Sequence, residues 1–437
     1  MKKIARLSRL ITVILLAVIT VQSASGESLR KNETRKDQQN YFTTYRGKVV
    51  DSESGVPLIF ATVTVQETNI ATVTNIDGEF VIKVPTENTS KGLEISYIGY
   101  TNKVVLFTEL RNNGFRNTIS VTSARIPLQE ITIKPVSPQE IVERAIANIN
   151  TNYTGVPNLM TAFYRETIKK SRNYVAIGEA VVEVFKAPYN ADFRLDAIRI
   201  YKGRKGADVS KMDTVLFKLQ GGPVTSLQLD LIKNPETVLT RESMEYYDYK
   251  MTNIVMIDDN PHYIVEFQQK PDIEMPLFLG RMFIDTRSYA IKEVEFSLNL
   301  EDIEQASALF IRKKPLGMDV TPEVASYRVT YRETDGKWYF AYSRAEVKFK
   351  VSWKKKLFNT NYTTMSEIAI TDRTTEEVIK FAGRERIRYT DVFSDQVTAF
   401  TDPEFWGDYN VIEPDQSIES AIRRLSRRLR FSDIDDK

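Results

Sequence analysis

The feature that most narrows the fold is a repeated phrase, in which a long run of alternating apolar and polar residues ends in a tight turn and is answered by a second run. Leu159 to Lys169 and Tyr174 to Lys186 make one such couple. Arg281 to Asp285 and Tyr289 to Leu300 make another around Thr286–Ser288, and Ala325 to Glu333 and Trp338 to Trp353 a third around Asp335-Gly336. Tyr263 to Gln268 and Tyr362 to Thr371 alternate in the same way. A period of two sends successive side chains to opposite faces of a strand. Long strands joined by hairpins give an antiparallel sheet that curls to bury one face.

A second rhythm precedes it. From Tyr45 the β-branched runs are shorter and the turn signals closer: Gly55-Val-Pro57, Asn75-Ile-Asp77-Gly78, Lys91-Gly92 and Ile98-Gly99. Strands of this length and spacing predict a β-sandwich. Asp77-Gly78 suits a turn with positive φ, followed by Phe80, Ile82 and Val84 alternating into a core. Asp77 reads as a turn carboxylate capping nearby amides rather than as a cation ligand.

Gly47-Lys-Val-Val-Asp, Gly55-x-Pro57-x-x-x-Ala61-x-Val63, Thr74-Asn-x-Asp77-Gly78-x-Phe80 and Ile95-Ser-Tyr97-x-Gly99-Tyr100 occur in order over about 90 residues. Together they resemble the carboxypeptidase-regulatory-like domain. The resemblance implies a transthyretin-like sandwich of seven strands, common at the N-termini of envelope proteins of the Bacteroidetes type. It implies a structural or interaction module and no peptidase activity.

Ser137-Pro138-Gln139-Glu140 predicts a capped helix over 138–151, with Ile141, Val142, Ala145, Ile146 and Ile149 on one face. Gly280-Arg-Met-Phe-Ile-Asp285-Thr-x-x-Tyr289-Ala-Ile-Lys292, with Asp335-Gly-Lys-Trp338-Tyr339, is similar to the outer-membrane lipoprotein-carrier fold. That similarity implies a half-barrel with a concave apolar surface. Residues 200–260 read as less regular, and the basic cluster Lys202, Arg204, Lys205 and Lys211 within them as a solvated loop.

Both ends carry further signals. Residues 1–26 have a basic start, an apolar run from Leu10 to Val21, and small residues at Ala24 and Gly26, the pattern of a cleaved signal peptide. Residues 27–42 are too polar to order and read as a flexible leader. Near the C-terminus, Phe405-Trp406-Gly-Asp-Tyr409-Asn-Val-Ile412 is an aromatic loop expected to pack on the sheet. A helix over 416–430 carries Ile418, Ala421, Ile422, Leu425 and Leu429 on one face and Arg423, Arg424, Arg427, Arg428 and Arg430 on the other. The expected division is therefore 1–26 signal peptide, 27–42 leader, 43–133 sandwich, 137–400 curved sheet, and 401–437 loop and helix.

Charge and residue inventory limit the chemistry. The net charge is +2, or −2 without Lys2, Lys3, Arg6 and Arg9, which offers nothing to nucleic acid. There is no Cys for a disulfide, a thiolate or an N-terminal lipid anchor. The one histidine, His262, cannot supply the paired histidines of a zinc-peptidase motif, and no G-x-S-x-G elbow accompanies it. His262 reads as structural. Glu293 and Glu295 share a strand face but nothing distinguishes them as an acid–base pair. The expectations are thus a mainly β chain, Ig/transthyretin-like sandwich plus half-barrel, that is not an enzyme and has no catalytic, cofactor or metal residues. It is expected in the periplasm or at the outer membrane, without a transmembrane helix, binding an envelope protein or an apolar ligand. A lipid or lipoprotein carrier and a glycan-processing enzyme are the alternatives.

Overall fold

The computed structural model of the chain describes residues 17–19, 42–112, 114, 116–124, 136–207, 217–219, 221–310, 317–354, 358–399, 405–423 and 425. The expected signal peptide and leader lie outside these residues. The exceptions are strand β1 (Ala17–Ile19), which pairs with Phe217–Leu219, and Phe42, which opens the first strand of the sandwich.

Seven strands build the sandwich: β2 (Phe42–Asp51), β3 (Thr62–Val65), β4 (Ala71–Val73), β5 (Glu79–Pro85), β6 (Gly92–Ser96), β7 (Lys103–Leu106) and β8 (Arg116–Val121). They form two sheets, of order β5-β2-β8 and β4-β3-β6-β7. Their inward residues, Tyr45, Val49, Ala61, Val63, Phe80, Ile82, Leu93 and Ile95 among them, close one core. The turn at Gly78 needs glycine: φ is +74°, and a Cβ there would lie 2.8 Å from Val49 O.

Beyond a helix α1 (Pro138–Ala147), capped by the Ser137 hydroxyl accepting from the Glu140 amide at 3.1 Å, and a single turn α2 (Ile149–Asn152), the second set of strands begins. They are β9 (Asn158–Lys170), β10 (Asn173–Lys186), β11 (Ala197–Ala207), β12 (Phe217–Leu219), β13 (Tyr247–Ile257), β14 (Asn260–Gln269), β15 (Phe278–Asp285), β16 (Ile291–Leu298), β17 (Met318–Thr334), β18 (Lys337–Trp353), β19 (Thr360–Thr374) and β20 (Thr398–Ala399). All but β12 join one curved, unclosed sheet of order β13-β14-β15-β16-β17-β18-β19-β9-β10-β11-β20, antiparallel except for β20 against β11. The long strands expected from alternation are all present, most of them somewhat longer than the pattern suggested, while the run from Tyr289 to Leu300 is trimmed to Ile291–Leu298.

Region 200–260 is a correction. It holds β11 and β13, and Lys202, Arg204 and Lys205 stand on a strand rather than in a loop; Lys211 lies outside the described residues. Between β11 and β13, helix α3 (Pro223–Gln228) and the residues after it bury Leu227, Leu229, Leu231, Ile232, Val238 and Leu239 against the inner face of the sheet. Helices α4 (Arg241–Met244) and α5 (Ile303–Phe310) add Met244, Ala306 and Phe310 to the same core. The half-barrel is therefore filled by its own chain. Inside this filling, the fully buried Lys186 ammonium pairs with Asp196 at 2.7 Å and Asp230 at 2.8 Å. The Tyr331 hydroxyl donates to Asp230 at 2.9 Å, so two buried carboxylates share one ammonium and one of them also takes a hydroxyl donor.

Candidate binding site between the sandwich and the large sheet

The sandwich lies on the outer face of the curved sheet, and outward residues of the central strands explain why it can. Arg165 on β9 is buried; its Nε donates to Glu179 on β10 at 2.9 Å, its Nη1 to Glu367 on β19 at 3.3 Å, and its Nη2 to the carbonyl of Ile412 at 2.8 Å. Arg204 donates twice to Glu179, at 3.0 and 2.8 Å, while Arg344 and the Tyr342 hydroxyl serve Glu367 at 3.3 and 2.9 Å. Burial raises the Glu179 carboxyl, but Arg165 and Arg204 outweigh it and hold the group below its ordinary value.

Residues 405–413 run between this charged lattice and the sandwich. Trp406 meets Phe163 edge to face at 5.5 Å. Asn75 Nδ2 donates to Glu413 O at 3.2 Å, and Lys83 N to Asn410 Oδ1 at 2.6 Å. Arg46 pairs with the Glu413 carboxylate. The aromatic loop packs on the sheet as its sequence predicts, and on the sandwich as well. Residues 416–423 that follow are helical, with Ile418 and Ala421, and Leu425 beyond them, buried against Tyr174 and Ile177. Arg424, Leu429 and the remaining arginines of that expected face lie outside the described residues. Asp77 serves this helix: its Oδ2 accepts from the Gln416 amide at 3.2 Å. Capping inside the β4–β5 turn falls to Asn75, whose Oδ1 accepts from the amides of Asp77 and Glu79 at 2.9 and 2.8 Å. The basic side chains of β11 are used against the same segment, Lys202 over the Phe405 ring at 4.7 Å and Arg204 over Trp406 at 4.8 Å.

At the far side of the junction Phe60 reaches from the sandwich onto the sheet. Its ring stacks on Tyr342 at 5.7 Å, with the Arg328 and Arg344 guanidinium groups over it at 5.3 and 5.2 Å. Its φ of +63° is costly for a bulky residue, and these contacts hold it there. Beside Phe60 opens a cleft of about 820 Å³. Leu279, 42% exposed, Phe60 and Tyr249 supply apolar surface there, and Arg281, Glu295, Arg328 and Glu346 supply charge. Arg281 donates to Glu295 at 2.5 Å, and Glu295 also pairs with Arg328. Glu293 lies buried behind Glu295, 3.4 Å from Arg328 Nε. Burial, only partly offset by Arg328, pushes its carboxyl up to about 7. The Glu293–Glu295 pair considered from sequence thus shares one guanidinium.

His262 sits in a second cleft, of about 630 Å³, where hairpin tips of the sheet face the sandwich. It is 1% exposed and stands in register with Asp285. The sequence reads it as structural, and it stands near the start of β14 after the Asp258-Asp259 turn. Phe60 was not singled out, because nothing in its neighbours signals a residue that grips another domain.

Residues 45–133 match the CarboxypepD_reg-like domain family. The sandwich is a carboxypeptidase-regulatory-like domain. No curated protein matches the chain. Among solved structures, a domain described as an outer membrane lipoprotein-sorting protein from Vibrio parahaemolyticus is 10% identical, covering 55% of this chain and 93% of that one, with a TM-score of 0.23. A DUF1329 family protein from Desulfovibrio piger is 11% identical over 56% of this chain and 95% of that one, with a TM-score of 0.24. Lipovitellin is 10% identical over 54% of this chain and 28% of its own, with a TM-score of 0.25. Only the first carries in its description the lipoprotein-sorting kind that the Gly280–Lys292 phrase resembles.

Proposed function

We propose that this chain is a non-catalytic binding protein of the cell envelope, exported to the periplasm or outer membrane, whose partner seats in the cleft beside Phe60. The observation that carries the reading is the cleft itself: an open volume of about 820 Å³ at a junction of two folded units, the kind of place where ligand sites concentrate. Its mixture of exposed Leu279 with ion-paired Arg281, Glu295 and Arg328 suits an amphipathic segment of an envelope protein. Charge pairs of this kind select a partner's register more than they raise affinity. The carboxypeptidase-regulatory-like sandwich supports a non-catalytic role.

A lipid or other apolar ligand is the second reading, favoured by Phe60, Leu279 and Tyr249 along the same cleft. Since the inner face of the half-barrel is filled by residues 223–239 and α5, such a ligand would also lie at the junction. The test is recovery of the protein from envelope fractions, with identification of co-purifying proteins and lipids, for the wild type and for Leu279→Arg. A protein or lipid retained by the wild type and lost from an equally stable Leu279→Arg chain is the expected result. Identical material from both, or recovery of the protein only from the cytosol, overturns the proposal.

A further inference from the structure

The second cleft has a chemistry of its own, independent of the reading given to the first. Its walls are hairpin tips: the β3–β4 and β6–β7 ends of the sandwich against the β13–β14, β15–β16 and β17–β18 ends of the sheet. Asp258 is satisfied internally, its carboxylate accepting from Lys292 Nζ at 2.6 Å and from the Ser96 hydroxyl. With that pair set aside, Glu67, Glu94, Asp259, Asp285, Glu333 and Asp335 line the cleft against a single guanidinium, that of Arg332. Excess carboxylate charge alone says nothing about a ligand, because water solvates it.

What gives the charge a direction is His262. Its Nδ1 lies 2.9 Å from the Asn260 carbonyl, so Nδ1 carries the proton and Nε2 presents a lone pair. Burial lowers the pKa of the ring, which keeps it neutral. Nε2 is buried and has no hydrogen-bond partner. Asp285 Oδ2 lies 3.9 Å from it. The other oxygen of Asp285 is occupied, accepting from Ser288 N at 2.7 Å, Ser288 Oγ at 2.8 Å and Arg287 N at 3.0 Å. Two acceptors therefore face each other 3.9 Å apart, one neutral and one anionic, and Nε2 is left without a donor. Among the described residues no group of His, Asp and Glu is arranged to hold a metal ion.

We propose that this cleft binds a primary alkylammonium group, seated between His262 Nε2 and Asp285 Oδ2, with the remaining carboxylates drawing in a second amine or the cationic body of the ligand. Such a group is carried by a free aliphatic diamine or by a lysine side chain. The test uses the single histidine, whose imidazole ¹⁵N signals need no assignment. Full-length protein is titrated with 1,4-diaminobutane, with N-acetyl-lysine methylamide, and with tetramethylammonium, which has equal charge and no N–H. Either primary amine should shift the Nε2 resonance saturably at one site, the tighter of the two naming the source, while tetramethylammonium leaves it in place. Asp285→Asn keeps the occupied oxygen and replaces the free one with an amide, so it should weaken binding by about ten-fold or more. Its thermal midpoint checks that the fold is kept. His262→Gln provides a second variant, read by calorimetry, with the same expectation. No response to either amine, an equal response to tetramethylammonium, or undiminished affinity in a folded Asp285→Asn chain overturns the proposal.

Discussion

Arg165 stands where three strands and the C-terminal segment meet, and its guanidinium compensates Glu179 and Glu367 while holding the Ile412 carbonyl. Replacing it with methionine keeps most of the volume but leaves two buried carboxylates short of a cation. A loss of about 3–5 kcal/mol is expected, read as a lowered urea midpoint. Glu166, one position along the same strand, points to the opposite face. Burial there pushes its carboxyl up to about 8, against the pull of the Tyr164 hydroxyl donating at 2.8 Å. The folded chain keeps this proton between the ordinary carboxyl value of 4.5 and about 8, whereas the unfolded chain has lost it. The stabilisation is complete below the lower value and is lost as pH rises toward the upper one, by at most about 1.4 kcal/mol per pH unit. Urea midpoints taken from pH 5 to 8 should fall less steeply for Glu166→Gln than for the wild type. Parallel slopes would refute the assignment.

At the scale of strands, the β15–β16 hairpin depends on Gly280. A Cβ at that position would come within 2.7 Å of Phe296 Cα and closer still to Glu295 O. Gly280→Ala should therefore destabilise the chain by about 2–3 kcal/mol and disturb the hydrogen-exchange protection of 291–298 before that of β9 or β10. The same scale explains what could be read in advance. Strands such as β9, β10 and β18 were legible because one face is buried along most of their length, which enforces a period of two. β11 was not, since Tyr201-Lys-Gly-Arg-Lys-Gly places glycines and charges on both faces, and its residues are used by a segment some 200 positions away. β13 carries a register shift between Met251 and Asn253 that interrupts its alternation. The filling of the half-barrel by Leu227, Leu229, Leu231 and Ile232 follows neither period, because loop and single helical turns present it. Both clefts escaped notice for a related reason: their walls come from hairpins far apart in the chain, and only the sheet order brings them together.

The whole molecule is held together by contacts of three kinds: hairpin tips on the sandwich edge, Phe60 on the sheet, and residues 405–413 between the two. The first includes the Gly99 amide donating to Met256 O at 2.8 Å and Asn69 Nδ2 to Arg373 O at 2.8 Å. The third is the most extensive, since Trp406, Val411 and Ile412 share one apolar cluster with Val73 and Val81 of the sandwich and with Phe163 and Val181 of the sheet. A chain ending at residue 404 should keep both sets of strands but lose their common unfolding. Calorimetry should then resolve two transitions where the full chain is expected to give one; a single transition in both would show that the other two contacts suffice. The placing of this segment also sets a timetable. A ribosome finishes the sandwich first and the last long strand at Thr374, and Glu413 follows 39 residues later, roughly 2–8 s at ordinary elongation rates. Until then the surfaces that this segment covers, Arg165 and its carboxylates among them, lack that cover. Nascent chains stalled before Glu413 are therefore the form most open to chaperones, to proteases and to wrong partners.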